Sequence, residues 1–347
     1  MRIWYLLESA DLSGGVRIVF DQARALKRLG HSVAIKALTG DHRWYPHSVE
    51  IEYVSDLAAR HLCSGEEPDV VVATFWTTVK AATTFHSSAF HLCQGYEGDI
   101  PEYSGLRSKI EETYAFPIPK LTIGPWLTGR LQELFGVRRF PIFEIGQIVD
   151  VEVFRPLPAW EKAMQAIVPR KVRILIVGIY ESSVKAIRDS LEAVRVLRAK
   201  GFDIHLIRVS PWALSKEERE LIHIDEYHEN IPPGSLALIY RGSDIFCTSS
   251  LKYEGFGLPF AEALACGVPS IATRIPSHLS FDPLHDYACF VPEKNPAAIA
   301  DAADRIIRDR RLRRYLRKRG PEVIGRNFRP ESVADKLTSI FRGDRQC

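Results

Sequence analysis

Short apolar runs alternate along the chain with stretches where apolar residues recur every three or four positions, and the alternation occurs twice. In the first half the runs Ile3–Leu7, Ser32–Leu38, Asp69–Ala73, Ala89–Cys93 and Lys120–Gly124 predict strands. The stretch Val16–Leu29 predicts a helix closed by Gly30 and His31. In the second half strands are expected at Ile174–Val177, within a run from Val172, and at Asp203–Val209, Ile245–Thr248 and Ser270–Thr273. Helices are expected at Lys185–Lys200 and Pro259–Cys266. Strands and helices in strict alternation imply parallel sheets with crossover helices.

The pattern breaks between Asp150 and Lys171, where Pro156, Pro158 and Pro169 fall, and this stretch is expected to hold the linker. The expected α/β architecture is two doubly wound, Rossmann-like domains facing across a cleft. Residues 1–155 are expected to form the first domain and residues 156–325 the second. Residues 326–347 form a terminal helix returning toward the first domain. Ligands of such sheets bind beyond the carboxyl ends of the strands, so the loops there carry the chemistry.

Composition changes this picture little. A length of 347 residues suits two domains, and 46% hydrophobic with 26% charged residues is ordinary for a globular protein. A formal charge of +3 gives no reason to expect nucleic acid as a partner. The six cysteines (63, 93, 247, 266, 289 and 347) show neither CxxC nor zinc-site spacing, which points to a reduced, cytoplasmic protein with no metal. The apolar run at Met1–Leu7 is cut by Glu8, as in a strand rather than a secretory signal. No run approaches the length of a membrane span. Ile306–Arg319 carries eight cations (Arg308, Arg310, Arg311, Arg313, Arg314, Arg317, Lys318 and Arg319). A solvated helix face is the plain reading, and contact of the 308–319 helix with the inner membrane surface is the alternative.

Two segments can carry chemistry. Ser13-Gly14-Gly15-Val16 lies between the first strand and first helix, where paired glycines let the backbone approach a ligand. It is not a dinucleotide fingerprint. The second segment is richer. Gly255 and Gly257 precede a helix that has Pro259 at its first turn, so Gly255, Phe256, Gly257 and Leu258 offer backbone to a diphosphate. Glu254 stands before that helix and Glu262 is expected on its first turn. Two carboxylates beside a phosphate cradle suit a ligand with vicinal hydroxyls.

The string from Glu254 through Pro269, Glu-Gly-Phe-Gly-Leu-Pro-x-x-Glu-Ala-x-Ala-x-Gly-x-Pro, resembles the signature of the retaining GT-B glycosyltransferases of family four, the glycosyl transferases group 1. Ile145 through Pro156 is similar to the hinge of that family, with Gln147 departing from it, and Leu238–Asp244 to the segment before the signature. The resemblance implies that Glu262 binds the donor ribose and Glu254 the transferred sugar. Gly14 and Gly15 would approach the diphosphate or the acceptor. Lys185 matches the family's diphosphate lysine, whereas Ile179 stands where an arginine is expected, leaving Arg208 and Arg274 as candidate replacements. Gln94-Gly95 occupies the site of the family's His-Asp pair, and Gln94 to Glu97 is similar to a rhamnosyltransferase branch, hinting at a deoxysugar donor. His91 is expected to be buried and satisfied.

The expected reaction transfers a sugar, with retention, from a UDP-, GDP- or dTDP-sugar to a hydroxyl acceptor. Glu254, Lys185 and Gln94 are the catalytic candidates, and the nucleotide-sugar is a substrate rather than a cofactor. Leaving-phosphate stabilisation would do most of the work. The alternatives are a non-catalytic nucleotide-sugar binder and an epimerase or phosphorylase on the same plan. A two-carboxylate glycosidase lacks a second acid tied to Glu254.

Overall fold

The computed structural model describes residues 1–58, 67–158 and 171–344. Cys63, Cys347, Pro169 and positions 159–170 of the expected linker lie outside the described residues. The chain divides into two compact units, Met1–Ile148 with Phe328–Cys347, and Val149–Asn327.

The first unit has seven parallel strands: β1 (Arg2–Ser9), β2 (Ser32–Thr39), β3 (Ile51–Tyr53), β4 (Val70–Ala73), β5 (Ser88–Cys93), β6 (Lys120–Thr122) and β7 (Ile142–Glu144), in the order 3-2-1-4-5-6-7. The central strands are apolar on both faces because helices cover both, and all four residues of β4 are buried. The order reverses between β1 and β4, so the loops after these two strands flank the switch point. Helix Pro330–Arg342 returns to this unit and buries Val333, Ala334, Leu337 and Phe341 in its core, the three larger side chains each worth about 1.5–3 kcal/mol of apolar burial.

The second unit has six parallel strands: β8 (Val172–Val177), β9 (Ile204–Ser210), β10 (Glu226–Glu229), β11 (Ile245–Thr248), β12 (Ser270–Thr273) and β13 (Cys289–Val291), in the order 10-9-8-11-12-13. Here the switch lies between β8 and β11, whose residues pair directly from Ile174 with Ile245 to Ile176 with Cys247. The core packs Ile187, Leu191, Val194 and Leu197 of helix Ile187–Ala199 against these strands.

Three local expectations need correction. The first helix spans Gly14–Arg28, so both glycines lie inside its first turn. Ser13 caps it, its hydroxyl accepting from the Val16 N–H at 3.2 Å. The helix expected from Lys185 starts at Ile187, because Ala186 takes a left-handed conformation and closes a turn. The basic segment is two helices, Pro296–Arg308 and Arg310–Asn327, broken at Asp309, whose carboxylate caps Arg311 and Leu312.

Most cations of the basic segment have partners within the protein. Arg308 pairs with Asp304, Arg317 with Asp244, Lys318 with Glu322, and Arg319 with Asp282 and Asp286. Arg313 caps the carbonyls of Ile306 and Ile307. Among the described residues no helix is long and apolar enough to cross a membrane.

Candidate active site

Backbone turns at the carboxyl ends of β8 and β11 build the centre of the second unit's site. Gly178 ends β8 with φ +144°, and a Cβ there would meet Ile187 at 3.2 Å. The chain then turns through Ser182–Lys185, with the Lys185 N–H donating to the Ser182 carbonyl at 3.1 Å. The turn after β11 is tied to it. Leu251 N–H donates to Val184 O at 2.8 Å, and the Ser249 hydroxyl donates to Ala186 O at 2.7 Å. Buried Ser190 closes the stitch against Ser249 at 2.7 Å.

That stitching brings together two expected site residues that lie far apart in the sequence. Lys185 Nζ donates to Glu254 Oε2 at 2.6 Å, and the Ser250 hydroxyl donates to the same oxygen at 2.9 Å. Burial pushes the Glu254 carboxyl up, but Lys185, aided by His278 and Ser250, outweighs it and holds the group below its ordinary value. Lys185 is therefore a turn residue in an ion pair and not a solvated helix residue.

Beyond Glu254, Gly257 caps helix Leu258–Ala265 with φ +80°, and Pro259 occupies its first turn. A Cβ at Gly257 would lie 2.7 Å from His278 Nε2, so only glycine fits both the backbone and the neighbour. Phe256 turns inward, its ring 4.8 Å from that of Phe281, leaving its backbone at the turn. Gly255 and Leu258 flank it as expected from their order in the chain.

Glu262 is the fifth residue of that helix and so sits beyond the first turn expected for it. It is only 1% exposed, and its Oε2 accepts from the Tyr240 hydroxyl at 3.1 Å. Arg208 is removed as a candidate cation for a diphosphate. It is fully buried, paired with Glu218 at 2.8 Å and bonded to the carbonyls of Ile176, Val209 and Gly178. Arg274 is exposed beyond β12, its guanidinium over the Phe290 ring.

His278, which the sequence reading missed, lies beneath the glycine turn. Its Nδ1–H donates to the Thr273 carbonyl at 3.1 Å, which leaves Nε2 bare, buried and without a partner among the described residues. Burial lowers its pKa to about 4, although Glu254 pulls the other way. Neither Ser250 nor Tyr240 has a role in the sequence reading. For His278 no local pattern marks the site, since it meets Gly257 only through the fold.

In the first unit, Gln94 follows β5 and its amide donates to the Gly15 carbonyl at 3.0 Å. Gly14 and Gly15 are exposed at the helix start beyond β1. His91 is buried, as expected, but its Nδ1 has no partner among the described residues, and burial drives its pKa well down. Among the described residues, no group of three or more His, Cys, Asp or Glu side chains could hold a metal ion.

Residues 171–309 match the family model of glycosyl transferases group 1. The match covers part of the chain and lies within the second unit. The chain is similar to the N-acetyl-alpha-D-glucosaminyl L-malate synthase of Bacillus anthracis, 34% identical over 110 residues, covering 31% of this chain and 28% of that protein. A phosphatidyl-myo-inositol mannosyltransferase of Mycobacterium leprae is 24% identical over 171 residues, covering 48% and 46%. The matches thus span less than half the length of these relatives. Among solved structures, the sucrose-phosphate synthase of Thermosynechococcus elongatus superposes with a TM-score of 0.79 at 18% identity, covering 99% of each chain. Anabaena Alr3699/HepE in complex with UDP and glucose gives a TM-score of 0.80 at 13% identity, covering 99% of this chain and 100% of that one. At these identities the likeness shows the fold, which is GT-B with two parallel-sheet α/β domains.

Proposed function

We propose that this protein is a retaining glycosyltransferase that moves a sugar from a nucleoside-diphosphate donor to a hydroxyl acceptor. The observation carrying this reading is the convergence of Lys185, Glu254 and Ser250 where the β8 and β11 turns are stitched together. An ammonium for the diphosphate, a carboxylate for sugar hydroxyls and a glycine-capped helix N-terminus then stand at one switch point.

In the unliganded protein Glu254 neutralises Lys185. On donor binding the ammonium turns to the diphosphate, and the freed Glu254 carboxylate accepts from hydroxyls of the transferred sugar. Glu262 takes the ribose with its remaining acceptor capacity. The bond from the anomeric carbon to the phosphate oxygen breaks, the acceptor oxygen bonds to the same carbon on the same face, and the acceptor proton passes to the departing phosphate. Lys185 and the backbone at Gly255, Phe256, Gly257 and Leu258 stabilise the charge that develops there. Gln94 holds the Gly15 carbonyl at the helix start in the first unit, where it is the first unit's catalytic candidate.

UDP is the first nucleotide to test, because HepE was solved with UDP and with UDP-glucose. A deoxysugar donor remains within the proposal through the Gln94–Glu97 resemblance. A second reading, a non-catalytic nucleotide-sugar binder, is favoured by one observation: Arg208 is locked in the core and Ile179 offers no charge. Release of free nucleoside diphosphate only when donor and acceptor are both present supports transfer. Donor binding without turnover over a panel of donors and acceptors would favour the binder.

A further inference from the structure

Tyr240 and Glu262 come from different helices and meet in the interior of the second unit. Tyr240 lies in the last turns of helix Pro233–Gly242 and Glu262 inside helix Leu258–Ala265, and both are buried. A buried carboxylate is costly without donors, and its neighbours Ala261, Ala263 and Leu264 have no polar side chain to offer. The Tyr240 phenol supplies a donor. Its hydroxyl lies 3.1 Å from Glu262 Oε2 and 3.0 Å from the Pro259 carbonyl. Its single hydrogen is therefore shared between the carboxylate and the first turn of the same helix.

The phenol can fix the carboxylate because its own ring is caged. The Tyr240 ring lies 6.0 Å from that of Phe154 at 72° and 5.8 Å from that of Phe246 at 59°, and both neighbours are buried. Phe246 belongs to β11. Phe154 belongs to the segment that opens this unit, and Arg241 pins that segment by donating to the Val153 carbonyl at 2.8 Å. Glutamate is among the side chains that lose most rotamer freedom when ordered. A phenol that has already ordered Glu262 removes that cost from ligand binding. A carboxylate has about four acceptor sites, so one bond from Tyr240 does not exhaust it.

We propose that Tyr240 is a positioning residue for the donor ribose: its phenol holds Glu262 where the carboxylate meets the 2′ and 3′ hydroxyls, and so sets the preference for a ribonucleotide over one lacking them. Tyr240 does not touch the nucleotide and acts through Glu262 alone. The inference rests on the proposed role of Glu262 at the ribose. A phenol that served only the fold would instead weaken every nucleotide by the same factor, with or without those hydroxyls.

Calorimetric titration of the full chain with UDP, GDP and their 2′,3′-dideoxy forms tests it. The wild type should bind the better ribonucleotide at least about tenfold more tightly than its dideoxy form, the factor that one hydrogen bond to a charged group supplies. Tyr240→Phe keeps the ring between Phe154 and Phe246 and removes only the hydroxyl. It should cut that preference to about threefold or less by weakening the ribonucleotide, while the dideoxy form keeps its affinity and reports that the site is folded. In a Glu262→Ala background, Tyr240→Phe should change ribonucleotide affinity no further, because the phenol acts through the carboxylate. Equal losses for the two forms in Tyr240→Phe, an undiminished preference, or a further loss in the Glu262→Ala background overturns the inference. A wild type that binds the ribonucleotides with no preference over the dideoxy forms refutes the ribose role of Glu262 as well. One that binds none of the four refutes the donor reading with it.

Discussion

Replacing Lys185 with Met removes the ammonium that lies 2.6 Å from Glu254 and leaves a carboxylate that is 7% exposed with Ser250 as its remaining donor among the contacts described. Breaking a fully buried pair costs about 3–5 kcal/mol, because the surviving charge is left unpaired. Lys185 keeps about a quarter of its side chain in water, at 24% exposure, so water screens part of the interaction. A loss of about 2 kcal/mol follows, which for a unit of this size lowers Tm by roughly 4–8 °C. The loss has a ceiling, since without Lys185 burial outweighs what Ser250 and His278 still supply and Glu254 can take up a proton instead.

The double variant Lys185→Met with Glu254→Gln removes both charges and should recover most of that stability. The pH dependence follows from the same pair. In the wild type the Glu254 carboxyl is held below its ordinary value, so its contribution is complete above the ordinary glutamate range. It is lost as pH falls through the depressed folded-state value. Lys185→Met should abolish that acid limb. Urea denaturation of the three proteins across pH 3–8, with UDP titrations alongside, measures both effects. UDP affinity should stay low in the double variant, because the phosphate has lost its cation whether or not the fold is restored. Equal stability of the single and double variants would refute the electrostatic reasoning, and full UDP affinity in either would refute the role of Lys185.

Glu262→Ala should weaken UDP and UDP-sugar binding by similar factors, because the ribose is common to both; calorimetric titration of the two ligands checks this. Gly257→Ala should cost at least about 1–2 kcal/mol from its left-handed φ of +80°, with a further loss from the close approach of His278 seen in thermal unfolding. His278 has a folded pKa lowered from 6.5 to about 4, so the unfolded chain binds its proton first as the solution is acidified. Stability should therefore fall between those pH values by up to a few kcal/mol, and His278→Gln should flatten that slope in urea titrations. Arg208→Met should destabilise by about 3–5 kcal/mol by stranding Glu218, while UDP affinity of the folded fraction stays unchanged.

The strands legible in the sequence were those buried on both faces. Val70–Ala73 and Ile245–Thr248 have every residue buried, so an uninterrupted apolar run marks them. The strands that left no such mark are short and lie at the sheet edges. Glu226–Glu229 contains no aliphatic residue, and Ile51–Tyr53 is half exposed. Their position comes from pairing with an already formed neighbour, which local composition does not record. The same limit moved helix starts. Ser13 caps through its side chain and draws Gly14 and Gly15 into the first turn, whereas left-handed Ala186 delays the next helix past Lys185.

At the site, what could be read was what backbone chemistry demands locally: glycines at a tight cap, a proline in the first turn, a carboxylate before the helix. What could not be read was the occupancy of charged groups. Lys185 and Arg208 are both cations at the ends of neighbouring strands or turns, and nothing in their surroundings by sequence ranks one above the other. The fold does. Glu218, placed by helix Lys216–Leu221, claims Arg208 in the core, while Ala186 bends Lys185 out to Glu254. A buried cation already bonded to a carboxylate and to three carbonyls cannot turn to a diphosphate without stranding those groups, which costs more than one phosphate contact returns. Lys185 has one carboxylate to leave and water within reach, so it, rather than Arg208, suits the proposed diphosphate contact.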